Sequence, residues 1–249
     1  MRQPLLILVL TASLLGCGKQ GGSEAPIPTA PLPTPAATPA VPDANAKAEG
    51  ARLQATLKRA YDGCTGVEAE VKSFSEGHFK AGKVVSELRH ATYRSHLIWG
   101  KPLKIRAEVL DTDNFLVGGA RMATTDCKRV KVRGAGILGI LPITLDATDD
   151  LLASNRNHRF TAMLPSPLIG HLLAGTWTAL PGSDPHLAKA SLVLPTHFDK
   201  EIDREELIMD ATDGKLIRVT MYAKGRPVVD YSFTTFKWNP KTTADTFAI

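Results

Sequence analysis

Leu216-Ile-Arg-Val-Thr-Met-Tyr222 and Val228-Val-Asp-Tyr-Ser-Phe-Thr-Thr-Phe236 stand on either side of Lys224-Gly225. Just upstream, Glu206-Leu-Ile-Met-Asp210 is divided from Leu216 by Asp213-Gly214. The runs are rich in β-branched and aromatic residues and alternate apolar with polar, while the X-Gly pairs between them supply the positive φ of tight hairpin turns. Together they predict a meander of antiparallel strands with one face covered and the other wet. Val67-Glu-Ala69-Glu-Val71, Lys104-Ile105-Arg106-Ala107-Glu108-Val109 and Lys128 to Arg133 alternate in the same way, so the meander extends through most of the chain.

Outward from these strands the pattern changes. Asp43 is placed to cap a helix with Leu53, Leu57, Ala60 and Tyr61 on one stripe and a stop at Gly63. Between Ile137 and Leu180 the text is apolar and irregular, read as short helices and loops over the sheet, firmly helical only from Pro167 to Ala174. Residues 43–249 form one domain large enough for a single core.

The first 42 residues are of other kinds. Arg2 followed by the apolar run Leu5–Leu10 and a small residue before Cys17 reads as a secretory signal, too short to span a bilayer. Of the 17 prolines, seven fall from Pro26 to Pro42. Ala-Pro and Thr-Pro pairs favour extended geometry and cannot bury a core, so 17–42 is expected to be a flexible stalk. At about 3.1 Å per residue, Pro26 to Pro42 reaches roughly 50 Å.

Within the signal, Leu14-Leu15-Gly16-Cys17 resembles the bacterial lipobox. The resemblance implies removal of residues 1–16 and a diacylglyceryl group on Cys17, which two or more acyl chains would hold in a membrane. Gly18 following Cys17 points, by the enterobacterial sorting pattern, to the outer membrane. The chain is therefore expected in a bacterial envelope, lipid-anchored and facing the periplasm.

Composition excludes several classes. The chain has 249 residues, 43% hydrophobic and 22% charged, which rules out a collagen-like, wholly disordered or multi-span membrane protein. The net charge of +5 is spread out. The basic run Lys128-Arg129-Val-Lys131-Val-Arg133 reads as the solvated face of a strand, so no nucleic-acid partner is expected. Gly134-Ala-Gly136-Ile-Leu-Gly139 matches G-x-G-x-x-G, but Pro142, Ile143 and Thr144 oppose a helix there and no β-α-β context surrounds it. It is read as a glycine-rich bend at a sheet edge.

The seven histidines include no H-x-x-x-H, so no metal site is expected. His90 and His96 are placed on one face of a strand, and Glu201, Asp203, Glu205 and Glu206 are read as a solvated turn. No nucleophile–base pair stands out, so no catalytic residue, enzyme activity or cofactor is expected. Cys64 and Cys127 remain after Cys17. Two readings stand: a disulfide, worth at most roughly 4 kcal/mol, or two buried reduced thiols.

The stretch from Asp210 to Phe247, with Asn239 and Phe247 at its hallmark positions, resembles the end of the periplasmic lipoprotein-carrier superfamily, the LolA/LolB-like proteins. Trp99-Gly-Lys101-Pro102-Leu-Lys-Ile-Arg106 looks like that family's "[KR]-P-x-x-[FILM]-R" motif. The likeness covers most of 55–249 and is strongest over the last forty residues; between 134 and 200 the chain looks closer to lipoproteins of uncharacterised function on the same fold. The resemblance implies a mainly β (α+β) fold, an incomplete antiparallel β-barrel or half-pipe of about eleven strands with an N-terminal helix and short lid helices. It implies a groove for a lipid or the acyl chains of another lipoprotein. Lys101 takes the place of a basic residue that helps hold the lid closed in the carriers. Trp99, Ile140, Leu172, Trp177, Met209 and Met221 are the expected groove or lid residues, with plain core as the other reading for the apolar ones. A receptor or carrier role is the first expectation; the second is a non-enzymatic envelope sensor or assembly module binding a protein partner.

Overall fold

The computed structural model describes residues 43–249 except 79, 82–83, 86–88, 102, 113–117, 135–140, 150–151, 153–155, 157–164, 183, 185, 195–196 and 198. Cys17, the stalk, Ile140 and most of the G-x-G-x-x-G stretch lie outside the described residues.

Helix α1 spans Ala44–Gly63. The Asp43 carboxylate accepts from the Asn45 N–H at 3.2 Å, satisfying one of the free donors of the first turn. Leu53 and Leu57 are buried on its inward stripe beside Gly50 and Thr56. At its C-terminal end the chain turns extended at Cys64.

The next strands are β1 Gly66–Gly77, a small hairpin of β2 Lys80–Ala81 and β3 Val84–Val85, then β4 Arg89–Gly100 and β5 Lys104–Thr112. After them come β6 Arg121–Thr124, β7 Arg129–Arg133 and β8 Ile143–Asp146. Helix α2 (Pro165–Ala174) precedes β9 Thr176–Leu180, β10 Leu187–Val193, β11 Arg204–Asp210, β12 Leu216–Ala223 and β13 Arg226–Trp238. A single helical turn, Ala244–Phe247, follows. Apart from β2 and β3, the strands make one eleven-stranded sheet in the order β8-β7-β6-β5-β4-β1-β13-β12-β11-β10-β9, every pairing antiparallel. The sheet is open: β8 and β9 are its edges and do not meet. The expected mainly β, unclosed eleven-stranded architecture with an N-terminal helix is the one observed. Among the described residues no helix is long and apolar enough to cross a membrane.

Two segments read as helix or loop are strands. Ile143–Asp146 and Thr176–Leu180 are the edge strands β8 and β9, four and five residues long, too short to show an alternation inside an apolar stretch. The predicted helix at 167–174 is present and starts two residues earlier, at Pro165, where proline's missing N–H costs nothing. β7 and β8 are antiparallel neighbours, which excludes a β-α-β crossover after Gly134.

Among the described residues four register shifts interrupt the ladders, at Glu70/Val71, Arg94/Ser95, Ile208/Met209 and Met221/Tyr222. Such bulges bend a strand and increase its twist. In the first, Glu70 pairs with Thr235 but Val71 with Phe233. Skipping Thr234 puts Phe233 and Phe236, three apart in sequence, on the same buried face.

The turns behave as read. Gly214 and Gly225 have φ of +73° and +74°, and Lys224 is also positive at +52°. The Asp210 carboxylate accepts from the N–H groups of Thr212 and Asp213 at 2.7 and 3.3 Å, closing the β11–β12 connection. Asn239 adopts φ +56°, and its side-chain oxygen accepts from the Thr65 N–H at 2.6 Å while its own N–H donates to the Gly66 carbonyl at 2.9 Å. Phe247 is buried against Gly100, where an added Cβ would lie 3.1 Å from its ring. Both hallmark residues thus fasten the C-terminal tail to the start of β1 and the end of β4.

Candidate functional site

The inner face of the sheet follows from register and burial. Ala179, Ala190, Leu207, Val219 and Tyr231 stand in one cross-strand row, and Trp177, Leu192, Glu205, Met221 and Val229 in the next. Val67, Ala69 and Val71 of β1 continue the face toward Trp99, Ile105 and Ala107. All the apolar members belong to one buried cluster or pack against it. The outer face carries cross-strand ion pairs instead, Lys189–Glu206 at 2.9 Å, Arg218–Asp230 at 2.7 Å and Arg121–Glu108 at 3.0 Å, and a His96–Glu68 hydrogen bond at 2.9 Å. Exposed pairs of this kind add little stability, but they keep that face wet.

Among the described residues, two helices cover the inner face. α1 lies against β9, so close that a Cβ on Gly50 would meet the Trp177 carbonyl oxygen at 2.3 Å. α2 buries Leu168, Ile169 and Leu172 in the same core as the strands. Gln54 of α1 joins the helices, donating to the carbonyls of Leu173 and Gly175, both at 2.8 Å. It thereby satisfies two acceptors that the end of α2 leaves free.

The residues expected in the groove divide. Trp99, Leu172, Trp177, Met209 and Met221 are each at most 2% exposed and share the single core. The Trp177 indole N–H donates to the Leu172 carbonyl at 2.8 Å, which fixes β9 to α2. Lys101 lies elsewhere. It is exposed, and its ammonium donates to the Tyr61 carbonyl at 2.7 Å while resting over the Tyr61 ring at 4.8 Å. A cation there meets the last carbonyls and negative dipole end of α1. The lysine in the basic motif position therefore serves the end of the N-terminal helix.

No disulfide joins Cys64 and Cys127; both thiols are free. Cys64 Sγ donates to the Tyr61 carbonyl at 3.1 Å and Cys127 Sγ faces the Leu103 carbonyl at 3.8 Å, so each is held by its own neighbour. Burial pushes both thiols above their ordinary pKa.

Glu205 corrects the reading of its acidic run as a solvated turn. It is 0% exposed, because β11 begins at Arg204 and its odd positions, Glu205, Leu207 and Met209, all face inward. One carboxylate oxygen, Oε1, receives Nε2 of His171 at 2.7 Å and Nε2 of His197 at 2.5 Å. The two imidazoles meet edge to face with centroids 4.7 Å apart. The other oxygen, Oε2, is buried with no hydrogen-bond partner among the described residues. Burial alone would raise the Glu205 pKa, but the two histidine contacts reverse this and hold it below its ordinary value. Nearby, burial and the Glu205 charge push the Tyr231 phenol far above its usual range.

The cluster is braced from one side. His197 Nδ1 accepts from the Asp199 N–H at 2.9 Å, so in this arrangement Nε2 carries the His197 proton. Arg156, its side chain 6% exposed, pairs with Asp199 at 2.7 Å and Glu201 at 2.8 Å and donates to the Glu76 carbonyl at 2.7 Å. Among the described residues His171, His197 and Glu205 are the one trio whose ligand-type atoms converge, all within 4.8 Å. Motif spacing missed them because Glu205 is 34 residues from His171 and 8 from His197. The usable signal was period two: Glu205 shares the parity of Leu207 and Met209.

No protein-family model matches the chain, and no curated protein does. Solved structures with a similar fold include the Mycobacterium tuberculosis lipoprotein LppX, at 13% identity and TM-score 0.44, covering 80% of this chain and 98% of that one. Another is a putative outer membrane lipoprotein-sorting protein domain from Vibrio parahaemolyticus, at 10% identity and TM-score 0.40, covering 81% and 97%. A DUF1329 family protein from Desulfovibrio piger is similar at 9% identity and TM-score 0.41, covering 81% and 96%. At such distances the fold of this chain rests on its own strand order and register.

Proposed function

We propose that this chain is a non-enzymatic envelope lipoprotein that takes up an acyl chain, from a lipid or from another lipoprotein, between its open sheet and the helices laid on it. The lipobox-like Leu14–Cys17 and the stalk of 17–42 would hold the half-pipe near a membrane, facing the periplasm. A carrier that shuttles should lack an anchor of its own, so Cys17 favours a receptor-like role at the outer membrane.

One observation carries this reading: an inner face that is apolar apart from the Glu205 cluster, on a sheet whose edges do not meet. A closed barrel fixes its bore, whereas an open sheet can admit a chain by letting its covering helices move. Burial of a hydrocarbon there is worth about 25 cal/mol per Å². In this state the face is filled by α1 and α2, so Trp177, Leu172, Met209 and Met221 are the side chains an entering acyl chain would displace or line. Met209 and Met221, unbranched and polarizable, suit a surface that must repack.

Native mass spectrometry of the chain without its anchor tests the reading. A co-purified acyl ligand, or uptake of an added fatty acyl probe, is the expected result. An empty groove together with a stable protein partner would instead favour a sensor or assembly role. For the anchor, Cys17→Ala should move the protein from the membrane to the soluble fraction with changed electrophoretic mobility; retention with unchanged mobility refutes the lipobox.

A further inference from the structure

His171, His197 and Glu205 come from three separate elements: helix α2, the segment before β11, and β11 itself. Their convergence is not needed for an apolar groove. It places an ionised carboxylate on the floor of the half-pipe, at a position where the cross-strand neighbours are Leu192 and Met221. Such a group is costly unless its charge is paired and its lone pairs used. Here both histidines crowd one oxygen, and the other, at 0% residue exposure, has no partner among the described residues. A buried acceptor left bare beside two imidazoles calls for an explanation.

We propose that His171, His197 and Glu205 form a binding site for a divalent transition metal of the zinc class. Two imidazole nitrogens and a carboxylate suit zinc and its neighbours rather than magnesium or calcium, which take oxygen shells. The three ligand atoms lie within 4.8 Å of one another, so coordination needs the two imidazole nitrogens drawn together and each moved off Oε1. A tetrahedral ion at about 2.0–2.1 Å sets its ligand atoms about 3.3 Å apart. The present Nε2–Oε1 separations of 2.7 and 2.5 Å would open by about 0.6–0.8 Å, a side-chain adjustment. Oε2 can join Oε1 on the ion or leave a position for water.

Coordination also sets a proton requirement. A histidine that ligates through Nε2 carries its proton on Nδ1, normally given to a nearby acceptor. At His197 this position now faces the Asp199 N–H at 2.9 Å. Metal binding therefore moves the proton from Nε2 to Nδ1 and parts Nδ1 from that N–H, turning the 197–199 segment. The ion would tie α2 to β11 more firmly than the present hydrogen bonds. The site stands whether or not the groove takes an acyl chain.

The test uses the untagged chain, stripped with a chelator, and Co²⁺ as a spectroscopic probe. One Co²⁺ per chain with the intense visible bands of a four- or five-coordinate ion, displaced by Zn²⁺, is expected. His171→Gln and Glu205→Gln should each weaken Zn²⁺ binding more than ~100-fold, beyond the 10–100-fold typical of losing an outer-shell partner. His186→Gln, remote and exposed, should leave it unchanged. Because a substitution at buried Glu205 can unfold the chain, amide exchange on the unaltered protein provides a second readout: Zn²⁺ should slow exchange in α2. Octahedral-type weak bands, or Zn²⁺ affinity equal in the wild-type chain and folded His171→Gln, would overturn the site.

Discussion

Replacing Gly50 by alanine sets two familiar effects against each other. In an exposed helix the change is favourable by about 1 kcal/mol, because glycine has more backbone freedom to lose. At position 50, however, the new Cβ would lie 2.3 Å from the Trp177 carbonyl oxygen, 2.6 Å from its carbon and 3.0 Å from the Thr178 nitrogen. The obstacle is backbone on a paired strand, so no side chain can swing aside, and α1 and β9 must part by about 1 Å to restore ordinary contact. Overpacking of a well-filled core costs about 1–3 kcal/mol; an unyielding backbone puts this site at the upper end. The expected net loss is about 2 kcal/mol, a fall in Tm of roughly 4–8 °C for a domain of this size. Gly170→Ala is the control. It lies within α2 with nothing within 4 Å of the added Cβ, so it should stabilise by up to ~1 kcal/mol. Urea unfolding followed by circular dichroism reads both, and a Gly50→Ala midpoint at or above wild type would refute the close packing of α1 on β9.

Asn239→Ala removes the acceptor for the Thr65 N–H and puts at φ +56° a residue that tolerates the left-handed region less well than asparagine, so a loss of about 1–3 kcal/mol is expected; Asn239→Gly should cost less, and equal losses would show that the backbone angle is irrelevant. Thiol titration of the denatured, never-reduced chain should find both Cys64 and Cys127 free, while the native protein reacts slowly because burial raises both pKa values; finding neither thiol until a reductant is added would reinstate the bridge. Asp126, Asp146 and Asp210 accept hydrogen bonds in their turns that hold their carboxyls below the ordinary range. A depressed carboxyl contributes stability above its unfolded pKa and loses it as pH falls through the folded value. Urea midpoints should therefore decline below about pH 4, where an unperturbed Asp titrates, and the decline should be shallower in Asp210→Asn; an unchanged slope would remove Asp210 from the account. Lys101→Met should cost about 0.5–1 kcal/mol in thermal melts by uncapping α1, with no effect on acyl uptake if the lysine serves only the helix end.

Long strands were legible because alternation survives wherever one face is buried for six or more residues, as in β5, β11 and β12. The two edge strands were not, since four or five residues within an apolar stretch look alike as strand, helix or loop. Bulges are invisible to a period-two reading: nothing in Ser232-Phe-Thr-Thr-Phe236 announces that Thr234 is skipped in the pairing with β1. Of the six apolar site residues expected, the five that are described lie inside, but lining and core have the same composition. Lys101 was found by motif, but its contact with a helix end forty residues earlier in the chain was not legible. The buried trio was missed because sequence shows three separate polar residues, while only the register of β11 and the position of α2 bring them within reach.

The central pairing of β1 with β13 has a consequence for the order of assembly. β4 to β8 can add to β1 one after another, each strand beside the one before it, and β9 to β13 can do the same on their own. The halves join along a single seam, where Glu70 meets Thr235 across 165 residues of chain. Distant pairings of this kind form slowly, because a large loop must close before any contact rewards it. Of this sheet's strands, the last in chain order is therefore the one that sutures it. Until β13 arrives, two half-sheets with bare central edges must coexist, and a chain cut before Arg226 should accumulate as that pair of unjoined halves.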